Sequence, residues 1–267
     1  MFILSKTLKI AAVQAISYWE DVKKNLTHYK TLIEEVDSSV DLIVLPEMFL
    51  TGSTNNAKAC AVEMEGSEIK EVSNWAVNHH KAIVGSVIVL ENGRYYNRMM
   101  WFMPDATIQH YDKKHLFTYA NEDKVYTPGR KRLIVNFKGF KIACFTCYDL
   151  RFPVWMRNRI VDNEVEYDLA IVTANWPKVR IEAWEYLLKG RAVENQAYIL
   201  GVNRVGVDGN QIIYNGKTML VESNGSFIQS ADDKEEVSVF NLELKSLNDF
   251  RSRFPFLNDD DNFTITV

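Results

Sequence analysis

A chain of 267 residues, 47% of them apolar and 12% aromatic, is long enough to bury roughly three quarters of its unfolded surface and to form a core without disulfides or a structural metal. With 31 Lys and Arg against 35 Asp and Glu, the net charge is −4, and no basic tract or charge block stands out. That argues against a dedicated nucleic-acid binder or a polybasic membrane protein. The opening MFILSKTLKI lacks a long apolar region and a small-residue cleavage site, and no stretch approaches the roughly 20 apolar residues of a membrane span. Cys60, Cys144 and Cys147 are too few and oddly numbered for a disulfide framework, so a reduced, soluble, cytoplasmic protein is expected.

Taken in chain order, Lys9–Gln14 reads as a strand, and Val22, Leu26, Tyr29, Ile33 and Val36 recur at helical spacing. Asp41–Pro46 and Ala82–Leu90 read as strands, the second followed by the hairpin signal Glu91-Asn92-Gly93-Arg94. Leu133–Phe137 and Lys141–Cys147 are further strands. Pro153 is placed to open a helix carrying Trp155, Met156 and Ile160. Leu169–Ala174 and Tyr198–Val202 flank a helical stripe of Trp184, Leu187, Leu188 and Ala192, and Val207-Asp208-Gly209-Asn210 signals another hairpin. Several of these strands are almost continuously apolar, which suits burial on both faces. Without a linker or an internal repeat, the pattern predicts a single domain over 1–267 of the α/β class, a mixed sheet layered with helices. A tail from about residue 245 is expected to pack on the domain edge or on a neighbouring subunit.

Three segments carry candidate chemistry. In Leu45-Pro46-Glu47-Met48-Phe49, a carboxylate follows a buried strand at its C-terminal end, the usual location of ligand sites in α/β sheets. Apolar neighbours would raise its pKa towards that of a general base or acid; alternatively, it is an exposed loop residue. In Tyr111-Asp112-Lys113-Lys114-His115-Leu116-Phe117, a lysine could stabilise an oxyanion, or the run could be a solvated charge cluster. His115, like His28, His79, His80 and His110, has no obvious orienting context. In Cys144-Phe145-Thr146-Cys147-Tyr148-Asp149-Leu150-Arg151-Phe152-Pro153, the CxxC spacing raises metal and redox readings. Zinc would need four ligands, and strand alternation aims the two thiols at opposite faces. Cys144 is then a core residue and Cys147 a nucleophile on a strand-to-helix elbow, where backbone N–H groups would lower the thiol pKa and form an oxyanion hole. The alternative is a pair of structural cysteines.

The trio LPEMF, YDKKHLF and CYDLRFP, in that order, closely resembles the nitrilase superfamily of carbon–nitrogen hydrolases. The resemblance spans nearly the whole chain, through Thr127-Pro128-Gly129-Arg130, Thr173-Ala174-Asn175-Trp176-Pro177, Arg191-Ala192-Val193-Glu194-Asn195 and Asn203-Arg204-Val205-Gly206. It implies an α-β-β-α sandwich, the four-layer nitrilase fold, pairing across a dimer interface into a homodimer or larger assembly. It also implies that Glu47 is the general base, Lys113 the catalytic lysine and Cys147 the nucleophile, while Lys114 occupies a variable slot. Glu122, six residues before Pro128, matches a second glutamate found in many members. Neither a metal nor an organic cofactor is implied, and the partner is a small-molecule amide rather than nucleic acid or membrane.

Together with NRVG and the tail Phe250-Arg251-Ser252-Arg253-Phe254-Pro255, the same strings look like the bacterial omega-amidase group, which acts on 2-oxoglutaramate and 2-oxosuccinamate. On that resemblance the backbone N–H of Tyr148 joins Lys113 at the oxyanion, and Phe117 and Trp176 wall the pocket. Arg151 either anchors the far carboxylate or forms a salt bridge with Asp149. Amidases of deaminated glutathione, carbamoyl-amide or nitrile hydrolases, an inactive binding protein of this fold and a redox CxxC protein are the competing readings.

Overall fold

Strand β1, Thr7–Gln14, sends apolar side chains to both faces: Leu8, Ile10 and Ala12 join one core, Ala11 and Val13 another. A strand with two dry faces must lie between two covering layers. The computed structural model describes residues 6–229, 232–261 and 263–265, so the first half of the opening segment read above lies outside the described residues. After β1 come α1 (Val22–Glu34), β2 (Leu42–Val44), α2 (Ser67–His79), β3 (Ala82–Glu91), β4 (Arg94–Phe102) and β5 (Ile108–Asp112). The second half supplies β6 (Leu133–Phe137), β7 (Phe140–Thr146), β8 (Leu169–Ala174), α3 (Ile181–Asn195) and β9 (Tyr198–Asn203). β10 (Met219–Val221), β11 (Phe227–Gln229), β12 (Glu236–Glu243) and α4 (Leu244–Arg253) follow.

Two sheets result. The first has the order β12-β1-β2-β3-β4-β5, and the second β11-β10-β9-β8-β7-β6. The central strands are parallel in both, β1-β2-β3 in one and β7-β8-β9 in the other. Ile10, Val44, Val84 and Trp101 of the first sheet share a core with Phe137, Ile142 and Cys144 of the second, and the Trp101 and Phe137 rings meet edge to face at 6.1 Å. On the outer face of the first sheet, Ile43, Ile83 and Met100 pack on Leu26, Tyr29 and Ile33 of α1 and on Val72 and Trp75 of α2. Trp184, Leu188 and Ala192 of α3 are buried on the second sheet. The layers run helix, sheet, sheet, helix: the α-β-β-α sandwich that the resemblance implies.

The turn at Glu91–Arg94 is a two-residue hairpin with Asn92 at φ 51° and Gly93 at φ 71°, the left-handed pair its sequence signals. One other expectation is corrected. The helix opened by Pro153 ends at Met156, and Ile160 lies in a short strand instead. The segment between them is held by the end of α3, since the Arg157 guanidinium donates to the Glu194 carbonyl and the Asn158 N–H to Asn195 Oδ1. The Val207–Asn210 signal does open a hairpin: Val205–Val207 pairs antiparallel with Ile213–Asn215 across the loop from Asp208 to Ile212, in which the Asp208 carboxylate accepts from the N–H groups of Asn210 and Ile212.

The tail read from about residue 245 begins inside α4. Arg251 there donates to Asp168 Oδ1 at 2.7 Å and to the carbonyls of Tyr167 and Gln196. Its residues 262, 266 and 267 lie outside the described residues. No helix among the described residues is long and apolar enough to cross a membrane.

Candidate active site

The parallel strands of both sheets end near one place. β7 stops at Thr146, and Cys147 opens a 3-10 turn, Cys147–Arg151, at φ 43°. A non-glycine residue in this left-handed region costs about 1 kcal/mol or more, so the elbow needs support. Asp149 supplies it. Its fully buried carboxylate accepts from the Thr146 N–H (2.9 Å), the Tyr111 hydroxyl (2.6 Å), the His115 N–H (3.0 Å) and His115 Nδ1 (2.8 Å). The His115 ring stacks on Phe152 at 3.6 Å. His115 therefore has an orienting context after all, and it ties the segment carrying Lys113 to the one carrying Cys147.

Glu47 follows β2 and is buried, but its surroundings are not the apolar ones expected. Oε1 accepts from Asn97 Nδ2 at 2.8 Å and from Lys113 Nζ at 3.0 Å, while Oε2 accepts from the Asn175 N–H at 2.8 Å. Lys113 leaves β5 with its N–H on the Asn97 carbonyl and its own carbonyl receiving the Gly129 N–H. A Cβ on Gly129 would stand 2.0 Å from the Asp112 carbonyl oxygen, which explains the glycine of the Thr-Pro-Gly-Arg string. Lys113 Nζ also binds both oxygens of Glu122, at 3.0 and 2.9 Å, and Glu122 Oε2 takes the Phe117 N–H.

Glu47, Lys113, Glu122 and Cys147 line one cavity together with Phe117, Tyr148, Arg151 and Trp176, so all eight residues named from the sequence converge. The cavity and the open space at its mouth together span about 370 Å³. None of the histidines lines it. Cys144 is fully buried in the core, and neither it nor Cys147 is bridged. Among the described residues, no group of three or more His, Cys, Asp or Glu side chains is arranged to hold a metal ion.

Burial, and next the Glu47 carboxylate, push the Cys147 thiol well above its ordinary pKa, with Lys113 opposing. This reverses the lowering expected from the elbow's N–H groups: the resting group is a thiol that needs a base. Burial works against the Lys113 ammonium, but Glu122 and then Glu47 outweigh it and hold the pKa well above the ordinary lysine value. Arg151 does not pair with Asp149. Its guanidinium lies over the Trp176 ring, 4.9 Å from the centroid.

Sequence reasoning gave no role to four residues. Asn97 and Asn175 grip Glu47; Asn97 was detectable as an amide inside the apolar run Tyr95–Phe102. Arg180 lines the cavity and lies over Phe117, 5.4 Å from the ring centroid, with no motif to mark it. Asn203, within a quoted string, fixes the cavity wall: its Oδ1 accepts from the Trp176 N–H and its Nδ2 donates to the Trp176 carbonyl.

The family profile described as carbon-nitrogen hydrolase matches residues 9–252. The chain belongs to the carbon–nitrogen hydrolase family. Omega-amidase YafV of Yersinia enterocolitica is 40% identical to it over 97% of this chain and 99% of its own length. The 2-oxoglutaramate amidase of Paenarthrobacter nicotinovorans is 32% identical over 94% of this chain and 89% of its own. The crystal structure of XC1258 from Xanthomonas campestris, a CN-hydrolase superfamily protein with an arsenic adduct in the active site, has a TM-score of 0.95 at 38% identity, covering 97% and 99% of the two chains. The chain is accordingly an enzyme, an omega-amidase-like hydrolase of carbon–nitrogen bonds.

Proposed function

We propose that this carbon–nitrogen hydrolase releases ammonia from the ω-amide of small 2-oxo dicarboxylic acid monoamides, such as 2-oxoglutaramate and 2-oxosuccinamate, through a thioester on Cys147. The observation that carries the reading is the Lys113 ammonium held between Glu47 and Glu122 in the cavity that Cys147 lines. The names of the relatives above support the choice of amide.

The chemistry follows from that arrangement. Glu47 takes the thiol proton, and the sulfur forms a bond to the amide carbon as the carbonyl π electrons move to oxygen. Lys113 and the Tyr148 N–H stabilise the oxyanion; first-turn N–H groups of a helix have no partner within it and so are free to do this. The proton on Glu47 passes to the nitrogen, the carbon–nitrogen bond breaks, and ammonia leaves. Glu47 then accepts a proton from water, whose oxygen attacks the thioester, and Cys147 recovers its proton as the acid departs. Glu122 keeps Lys113 aimed. Asn97 and Asn175 keep Glu47 aimed, since a carboxylate with donors on both oxygens cannot rotate away. Arg151 takes the far carboxylate, and Phe117 and Trp176 form the walls. Each oxyanion donor is typically worth roughly 3–4 kcal/mol.

Cys147→Ala is expected to abolish ammonia release while circular dichroism and melting temperature stay those of the wild type. Full turnover by that variant refutes the assignment. A panel of 2-oxoglutaramate, 2-oxosuccinamate, deaminated glutathione, carbamoyl amino acids and nitriles tests the substrate, and strong preference for the glutathione derivative would overturn it. Activity is expected to survive dialysis against EDTA, because every step above uses side chains, backbone and water. The family resemblance also supports a cytoplasmic homodimer or larger homo-oligomer, which light scattering of the purified protein would test.

A further inference from the structure

Two arginines reach the cavity without an ion pair to any described residue. Arg151 lies on Trp176 and Arg180 on Phe117, so each guanidinium is laid against one of the two aromatic walls. Their placement is coupled, because Trp176 Nε1 donates to the Arg180 carbonyl at 2.8 Å. Arg180 is also the N-cap residue of α3, a position where Ser, Thr, Asp or Asn would be favoured, and its side chain makes no capping hydrogen bond. A residue that breaks a local rule at a cavity wall is kept for another purpose.

The charges in the cavity say what that purpose is. Counted formally, Glu47 and Glu122 against Lys113 leave one negative charge. Arg151 alone would neutralise it, and an entering carboxylate would then restore a net negative charge in a partly desolvated space. With Arg180 added, the empty cavity carries one positive charge, which a single carboxylate cancels. Position agrees. The cavity opens past Phe117, Asn175, Pro177 and Arg180 into an outer vestibule whose acidic linings are Glu20, Glu122 and Asp208, and Arg180 is the one cation among the vestibule's described linings.

We propose that Arg180 is a specificity-determining residue, the second half of a carboxylate clamp with Arg151 that selects amides bearing one anionic group at the far end of a short acyl chain. This rests on the reading that the cavity hydrolyses amides on Cys147, and it adds a second cation to it. Hydrolysis creates a second carboxylate, for which the clamp has no further charge, so the same arrangement favours release of the dicarboxylate product.

The test compares kcat/KM for succinamate and for butanamide, which differ by a carboxylate in place of a methyl group. The wild type is expected to prefer succinamate. Arg180→Met keeps an unbranched apolar stem and should lower that preference by about 10- to 100-fold, chiefly through KM, the range of a lost charge-assisted hydrogen bond. Arg180→Lys retains the charge without the planar fork and should recover part of the preference; it carries the test should Arg180→Met fail to fold. In Arg151→Met/Arg180→Met the losses should fall short of multiplicative, since both groups hold one carboxylate. If the wild type releases no ammonia from any amide, the amidase reading fails and the clamp with it. If it hydrolyses both amides and neither Arg180 variant changes their ratio, the amidase reading stands and the clamp is wrong.

Discussion

Two buried carboxylates stand on either side of the Cys147 elbow, and they are solvated in opposite ways. Glu47 lines the cavity and receives an ammonium and two amide donors. Asp149 faces the core and is held by two backbone N–H groups, a phenol and an imidazole. Both are saturated with donors, as buried acids must be. Glu47, however, shares its ammonium with Glu122 and is proposed to act on the Cys147 thiol, whereas every partner of Asp149 belongs to the scaffold. Burial alone therefore does not mark a reacting acid. The identity of its donors, and what lies on its open side, decide whether it moves a proton or holds a turn.

Replacing Glu47 breaks the comparison most sharply. Glu47→Gln is expected to lower kcat by about 10²- to 10⁴-fold, the usual contribution of a positioned general base. It should also make Cys147 easier to alkylate. The Glu47 charge is one of the causes raising the thiol pKa, so its loss brings that pKa down and increases the thiolate fraction at neutral pH. In the wild type, iodoacetamide labelling of Cys147 should climb through neutral pH and past the ordinary thiol value of 9.0 without a plateau. Mass spectrometry of the labelled peptide across pH checks both statements. An unchanged labelling rate in Glu47→Gln at neutral pH would mean that the carboxylate does not control this sulfur.

Asp149→Ala attacks the other acid. Four donors lose their acceptor, two of them (the Thr146 N–H and the Tyr111 hydroxyl) fully buried, and the left-handed Cys147 loses its brace. A loss of about 3–5 kcal/mol is expected, read as a fall of roughly 10 °C in melting temperature. Activity should fall in parallel with folding rather than ahead of it. A well-folded Asp149→Ala with no activity would move Asp149 into the chemistry.

Much of the scaffold was legible because its strands are dry on both faces. The apolar runs at Lys9–Gln14, Ala82–Leu90 and Leu169–Ala174 admit little else, and the Asn-Gly turn sets its own hairpin. Pairing was not legible. One of the two partners of β1 is β12, more than two hundred residues away, and nothing in Glu236–Glu243 names it. The site divides in the same way. Glu47, Lys113 and Cys147 each follow a strand and carry a recognisable string, so they could be named singly and joined by family likeness. Asn97 reaches Glu47 from another strand of the same sheet, and Arg180 lies over Phe117 from the second half of the chain, contacts that no local pattern encodes. His115 failed for the same reason, because its orienting partner Asp149 lies on the other sheet's elbow.

Tyr111 gives the finest cut between the two clusters, since it sits in the same string as Lys113 but serves Asp149. Its hydroxyl donates to Asp149 Oδ2 and accepts from Trp155 Nε1 at 3.0 Å and the Lys114 N–H at 3.1 Å. Burial, and then the Asp149 charge, hold the phenol well above its ordinary pKa, so it remains a donor at any working pH. Tyr111→Phe leaves two buried N–H groups without that acceptor while Asp149 keeps its other donors. The expected loss is about 1–2 kcal/mol of stability, with kcat changed by no more than a few-fold and the pH profile unshifted. Thermal melts and pH-rate profiles of the same preparation read both quantities. A large drop in kcat at unchanged stability would show that the scaffold carboxylate and the reacting one act as a single network.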